Sequence, residues 1–205
     1  MNLSWSQIFR LGLVQMALGA IVVLTTSTLN RLMVVEFSLP ALLPGALVGL
    51  HYGIQLSRPR WGFRSDVGGN RTRWIIGGMI TLALGGVGAT YAVTLFALHY
   101  WLALSASILS YGMIGIGVGA SGTSLLALLA TATAANRRAA AATITWLMMI
   151  FGIALTAGVA GQFLDPYSPE RLMAVVSTIA ILAIVLTVLA IWNIERSVRP
   201  RSSEP

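Results

Sequence analysis

No cysteine occurs among the 205 residues, which removes disulfides, thiolate metal sites and cysteine nucleophiles from consideration. Lysine is absent as well: all thirteen basic residues are arginine, and no function follows from that. Charge of either sign is scarce, at 9% of the chain, where soluble domains carry roughly a quarter. With 57% hydrophobic residues and a mean hydropathy of +0.83, the chain cannot keep a water-facing surface soluble, so its solvent is lipid. The net charge of +7 would suit a nucleic-acid partner in a soluble protein. In a membrane protein, basic clusters report orientation instead, and no nucleic acid is expected. No P-loop occurs either, so nucleotide hydrolysis is not expected.

What is present are long uncharged runs. Between Arg10 and Arg31 lie 20 uncharged residues, between Glu36 and Arg58 21, between Arg73 and Arg137 63, between Arg138 and Asp165 26, and between Arg171 and Glu195 23. A spanning helix needs about 20 residues. The longest run therefore holds two helices, turning near the aromatic cluster Leu98–Trp101, which suits an interface. The fold class expected is all-α, a polytopic membrane protein with six spans near 11–35, 39–61, 74–97, 102–131, 140–163 and 172–193. The runs lack the alternation of barrel strands. The first span is too long and too weakly flanked by basic residues to read as a cleaved signal peptide. One membrane domain over 1–195 is expected, followed by a disordered tail over 196–205.

Six spans place both termini on one side, and the arginines sort accordingly: eleven fall on the side of the termini and two, Arg31 and Arg171, on the other. The excess marks the terminal side as cytoplasmic. Asp66 and Asp165 then belong to loops on opposite sides, and the two histidines lie at different depths. No catalytic set and no metal-binding set emerges, so the chain is not expected to be an enzyme.

The segment Gln55–Trp74, "QLSRPRWGFRSDVGGNRTRW", holds five arginines and one aspartate. Anchoring explains their number but not their order. Gly62, Asp66, Gly69, Arg71 and Arg73 form G-x-x-x-D-x-x-G-x-R-x-R between the second and third spans. This resembles the signature loop of major facilitator transporters, and departs from it at Val67 and Asn70, where basic residues are commoner. The resemblance implies glycines that allow close helix approach. It also implies an aspartate that faces a helix N-terminus and nearby arginines, latching one side of the bundle.

A closer resemblance covers nearly the whole chain. The runs "RLGLVQMALGAIVVLTTSTLNRLMVVE" (10–36), "LPALLPGALVGLHYGIQ" (39–55), "RPRWGFRSDVGGNRTRWIIGGM" (58–79) and "GQFLDPYSPERL" (161–172) are similar to the PucC/LhaA family. Members are major-facilitator-like proteins of phototrophic bacteria, and the resemblance implies assembly of light-harvesting complexes and handling of bacteriochlorophyll. Expected partners are the lipid bilayer and antenna polypeptides or a photosynthetic core complex. Family members have twelve helices, so the chain reads as an N-terminal half, whether truncated, split or a fragment. Major-facilitator sites lie between two six-helix bundles near the midplane. A lone half therefore implies a second half or a homodimer partner. The alternatives are half of a small-solute transporter, a structural subunit beside a photosynthetic complex, and a degenerate fragment.

Several residues stand out along the spans. His51 lies eleven residues before Gly62, about 16 Å along a helix, and so near the middle of a hydrocarbon layer of about 30 Å. Ionisable groups at that depth face a cavity or a partner. Its imidazole suits a hydrogen bond between helices, which is the first reading. The resemblance adds a second, ligation of the magnesium of bacteriochlorophyll through a free nitrogen. "TTSTLNR" (Thr25–Arg31) makes the end of the first span polar; its hydroxyls suit bonds back to their own backbone. Asn30, Arg31 and Glu36 either anchor the far interface or line the mouth of a cavity. Gly115 and Gly119 make a G-x-x-x-G in the fourth span, which suits close helix packing. Ser168, Pro169 and Glu170 suit a helix start: a cap, a first-turn proline and an acid at the positive dipole end.

Overall fold

Ser4 starts the first helix. Its hydroxyl accepts from the Gln7 N–H (3.3 Å), and the Gln7 side chain accepts from the Ser4 N–H (2.9 Å), a reciprocal capping box. The computed structural model describes residues 2–67 and 70–195. Helix α1 runs Trp5–Val23, a π-helical stretch follows over Leu24–Thr28, and α2 completes the span over Leu29–Val35. The start thus lies before Arg10, not after it. The guanidinium finds helix-end carbonyls, so its charge does not mark the boundary.

After a turn, α3 occupies Leu42–Ile54, a 3-10 turn covers Gln55–Ser57, and α4 runs Arg58–Val67. The sequence placed a continuous span over 39–61 and a loop beyond it. Pro59 accounts for the difference: it has no N–H to bond, and its ring crowds the carbonyl four residues back. The ladder therefore breaks at Gln55–Ser57, and the arginine-rich segment continues as a helix of its own. The remaining helices are α5 (Arg71–Leu95), α6 (Tyr100–Ala132), α7 (Arg138–Phe163) and α8 (Pro169–Ile191). Ser168 caps α8 by accepting from the Arg171 N–H at 3.2 Å, with Pro169 in the first turn, as the sequence implied.

The described residues form an all-α bundle without strands. Among the described residues five stretches, Trp5–Val35, Arg71–Leu95, Tyr100–Ala132, Ala135–Phe163 and Pro169–Ile191, are long and apolar enough to cross a membrane. The chain is a multi-pass membrane protein. The 13 residues of α3 reach about 20 Å, so the second crossing needs the 3-10 turn and part of α4 to reach the other end.

Helices α5 and α6 form the most extensive pair. Glycine makes their approach possible: a Cβ on Gly117 would stand 2.5 Å from the Leu82 nitrogen and 2.7 Å from the Gly78 oxygen. In lipid, where apolar side chains gain nothing by leaving solvent, such close contact is a main source of helix association. Helix α1 lies against α7 and α8, α5 against α8, and α3 against α6, whereas α7 scarcely touches α8. One end gathers the N-terminus, α4, the start of α5 and the ends of α6 and α8. There the Leu3 N–H donates to the Ala132 carbonyl at 2.8 Å, and the Arg137 guanidinium lies 5.3 Å from the Trp5 ring centre. The other end holds the 36–41, 96–99 and 164–168 turns, where the Phe37 and Tyr167 rings meet edge-on at 6.4 Å. Arg31 and Arg171 sit toward this second end. Burial and the nearby Glu36 and Glu170 carboxylates push the Tyr167 hydroxyl above its usual range.

Candidate functional site

The first N–H groups of a helix have no partner within it. At the start of α5, Asn70 Oδ1 accepts from the Arg73 N–H at 3.3 Å. Glu195, beyond the end of α8, accepts from the N–H groups of Arg71 (3.0 Å) and Thr72 (2.9 Å) and from the Thr72 hydroxyl (2.7 Å). Its carboxylate also faces the positive end of the helix dipole. Arginines serve the opposite, carbonyl-rich helix ends. Arg71 Nη1 donates to the Ala127 carbonyl (3.2 Å) and to the Thr131 hydroxyl near the end of α6. Arg10 Nη2 donates to the Leu189 (3.2 Å) and Trp192 (2.6 Å) carbonyls at the end of α8. A cavity of about 480 Å³ opens beside these contacts, lined by Asn70, Arg73, Trp192 and Glu195 among others.

The signature residues divide among these features. Gly62 sits in α4, where a Cβ would stand 3.3 Å from Thr123 Cγ2, so α4 lies close on α6. Arg71 ties α5 to α6, and Arg73 lines the cavity. The Asp66 side chain, Gly69 and the 196–205 tail lie outside the described residues. Among those described, the acid that meets the α5 N-terminus is Glu195. Sequence reasoning used that residue only to mark where the sixth span stops. Its signal was the isolation of a lone carboxylate after 23 uncharged residues.

Deeper in the bundle, His51 is 1% exposed. Its backbone carbonyl is one limit on the Gly115 site, where a Cβ would stand 2.8 Å away, and Ile54 is another at 2.9 Å. The small face of α6 thus receives α3, while Gly119 receives Trp61 of α4 at 3.3 Å. The imidazole Nε2 lies 2.8 Å from Gln55 Nε2, and Gln55 Oε1 accepts in turn from Arg58 Nη2. The His51 and Tyr52 rings meet edge-on at 4.7 Å. Trp61 Nε1 donates to the Ser57 hydroxyl at 2.9 Å, and its ring lies 5.9 Å from that of Trp74. A polar thread therefore joins the buried imidazole to the arginine-rich end. With these contacts in place, Nε2 is engaged and Nδ1 is enclosed by protein, so a magnesium macrocycle does not fit either nitrogen.

The polar end of the first span behaves as hydroxyls in lipid should. Thr25 Oγ1 donates to the Ile21 (3.2 Å) and Val22 (3.0 Å) carbonyls, and Thr26 Oγ1 to that of Val22 (2.8 Å). Tyr111, buried on α6, donates its hydroxyl to the Thr25 carbonyl at 2.7 Å. The π turn releases carbonyls from the regular ladder, and side chains take them up. Asn30 is half-buried on α2, whereas Arg31 and Glu36 are exposed at the end away from Glu195. Gln15 is buried against α7, its amide nitrogen 3.5 Å from Met149 Sδ. Among the described residues no three His, Asp or Glu side chains gather as metal ligands would.

Comparison with known proteins places this arrangement in context. The family described as PUCC protein matches residues 28–205. A protein of Rhodobacter capsulatus named "Bacteriochlorophyll synthase 44.5 kDa chain" is 67% identical over 196 residues, covering 96% of this chain and 46% of that one. "Protein PucC" of Rhodobacter capsulatus is 31% identical over 97% of this chain, and "Protein PucC" of Cereibacter sphaeroides is 30% identical over 97%. The chain spans about half the length of the curated relatives it matches. No solved structure matches it significantly.

Proposed function

The chain belongs to the PUCC protein family, and from that premise we propose that it assists light-harvesting complex assembly by handling bacteriochlorophyll in a phototroph's membrane. The observation that carries this reading is the 67% identity, over 96% of the chain, to a protein whose name contains the pigment. The proposed membrane is the cytoplasmic or intracytoplasmic one, with the arginine-rich end and both termini on the cytoplasmic side. The proposed partners are antenna polypeptides or a core complex, together with a second six-helix bundle, which is either another half or a second copy. The bundle supports a need for partners: only 22% of an apolar 18-residue stretch within Ala135–Phe163, and 33% of one within Pro169–Ile191, is buried. A crevice of about 390 Å³ between α1, α7 and α8 is lined almost wholly by apolar side chains such as Met16, Leu155 and Leu186.

The role is binding and handing on. The word synthase in one relative's name makes conversion of the pigment the alternative to exclude. The motif Gly62, Asp66, Gly69, Arg71 and Arg73 favours a second reading, half of a small-solute transporter. Asn30, Arg31 and Glu36 would then line the far mouth of the cavity.

Affinity purification from a pigmented host under mild detergent separates these readings. Assembly predicts a bacteriochlorophyll absorbance band and antenna polypeptides in the eluate, with the pigment chemically unchanged. It also predicts that this chain is absent from the mature complex, because an assembly factor leaves and a structural subunit stays. An eluate free of pigment and antenna would defeat the proposal, and altered pigment would point to catalysis.

A further inference from the structure

The contacts around His51 determine where its proton sits. Arginine carries donors only, so Arg58 Nη2 can bond only the oxygen of the Gln55 amide. The amide nitrogen, which also only donates, is thereby turned toward His51 Nε2, 2.8 Å away. That ring nitrogen must accept, and its lone pair is used in doing so. A neutral imidazole carries its proton on the nitrogen that does not accept, here Nδ1. An imidazolium would set two donors against each other and is ruled out by the same contact. Nδ1 is buried and has no partner among the described residues.

We propose that Arg58, acting through Gln55, sets the tautomer of His51, so that the proton sits on the enclosed Nδ1 and the imidazole has no lone pair for a metal. Gln55 and Arg58 are positioning residues. The 3-10 turn over Gln55–Ser57 and the α4 N-terminus hold them in line with the imidazole, so the arginine-rich end sets the chemistry of a group buried inside the bundle. If Arg58 moves away, the amide is free to turn its oxygen to Nε2. The proton then passes to that nitrogen and the Nδ1 lone pair appears. The tautomer holds or fails independently of pigment handling, because it is read without pigment.

Histidine occurs only at positions 51 and 99, which makes the test direct. The full chain, carrying His99→Gln and ¹⁵N-labelled histidine, is examined by NMR in detergent micelles at neutral pH. The expected spectrum has a pyrrole-type, protonated Nδ1 and a pyridine-type Nε2 shifted by its hydrogen bond. A protonated Nε2 with a bare Nδ1, or an imidazolium, would overturn the assignment without any further variant. Arg58→Met is then expected to move the population toward the Nε2–H form, and Gln55→Leu to abolish the hydrogen-bond shift at Nε2. An unchanged spectrum in folded Arg58→Met would refute the part played by Arg58.

Discussion

Glu195 closes the start of α5 with three hydrogen bonds and a charge of the sign the helix end prefers. Glu195→Ala leaves two backbone N–H groups without their acceptor. By analogy with helix caps, the cost is about 0.5–2 kcal/mol. The check is a thermal unfolding curve in detergent, where the midpoint should fall; an unmoved midpoint would remove the capping role. Arg71 and Arg73 stood out in the sequence because their spacing resembles a known signature, whereas the groups they meet could not be read there. Glu195 did not stand out, since its partner lies 123 positions away along the chain and no local pattern joins them. His51 was legible as a buried polar group from its distance to the charged segment. Its orientation and tautomer were not, because they depend on Gln55 and Arg58 meeting it in one register.

Among the elements, the α5–α6 pair rests on the smallest side chains. Gly117→Leu would drive a side chain into the α5 backbone at Leu82, and Gly115→Leu into the α3 backbone at His51. Overpacking costs about 1–3 kcal/mol in tightly packed interiors. Gly49→Leu on α3, where no atom lies within 4 Å, is the matched control and should leave stability near wild type. Monodispersity and thermal midpoints of the variants in one detergent decide the matter. Equal losses at positions 117 and 49 would count against close packing. The glycine spacing made tight packing in the fourth span readable beforehand. The π turn at Leu24–Thr28 was not readable, because "TTST" suits an ordinary helix equally well and only the Tyr111 hydroxyl shows which carbonyl has been released. The break after α3 was present in the sequence as Pro59, but the long uncharged run before it concealed how early the helix ends.

For the molecule as a whole, the absence of cysteine allows sidedness to be measured with single replacements. Ser6→Cys, at the arginine-rich end, should react with a membrane-impermeant thiol reagent only after the inner face is opened. Ser38→Cys, at the other end, should react in intact cells. The reverse pattern would invert the topology. Composition and the spacing of charges sufficed to establish a lipid-embedded helical chain, the number of its long apolar runs and the grouping of arginines at one end. Those properties follow from what water and hydrocarbon each tolerate, residue by residue. Helix packing decided the rest: which glycines meet which backbone, which acid meets the α5 terminus, and which nitrogen of His51 has a partner. Such contacts join groups far apart along the chain, and their geometry exists only once the helices have docked.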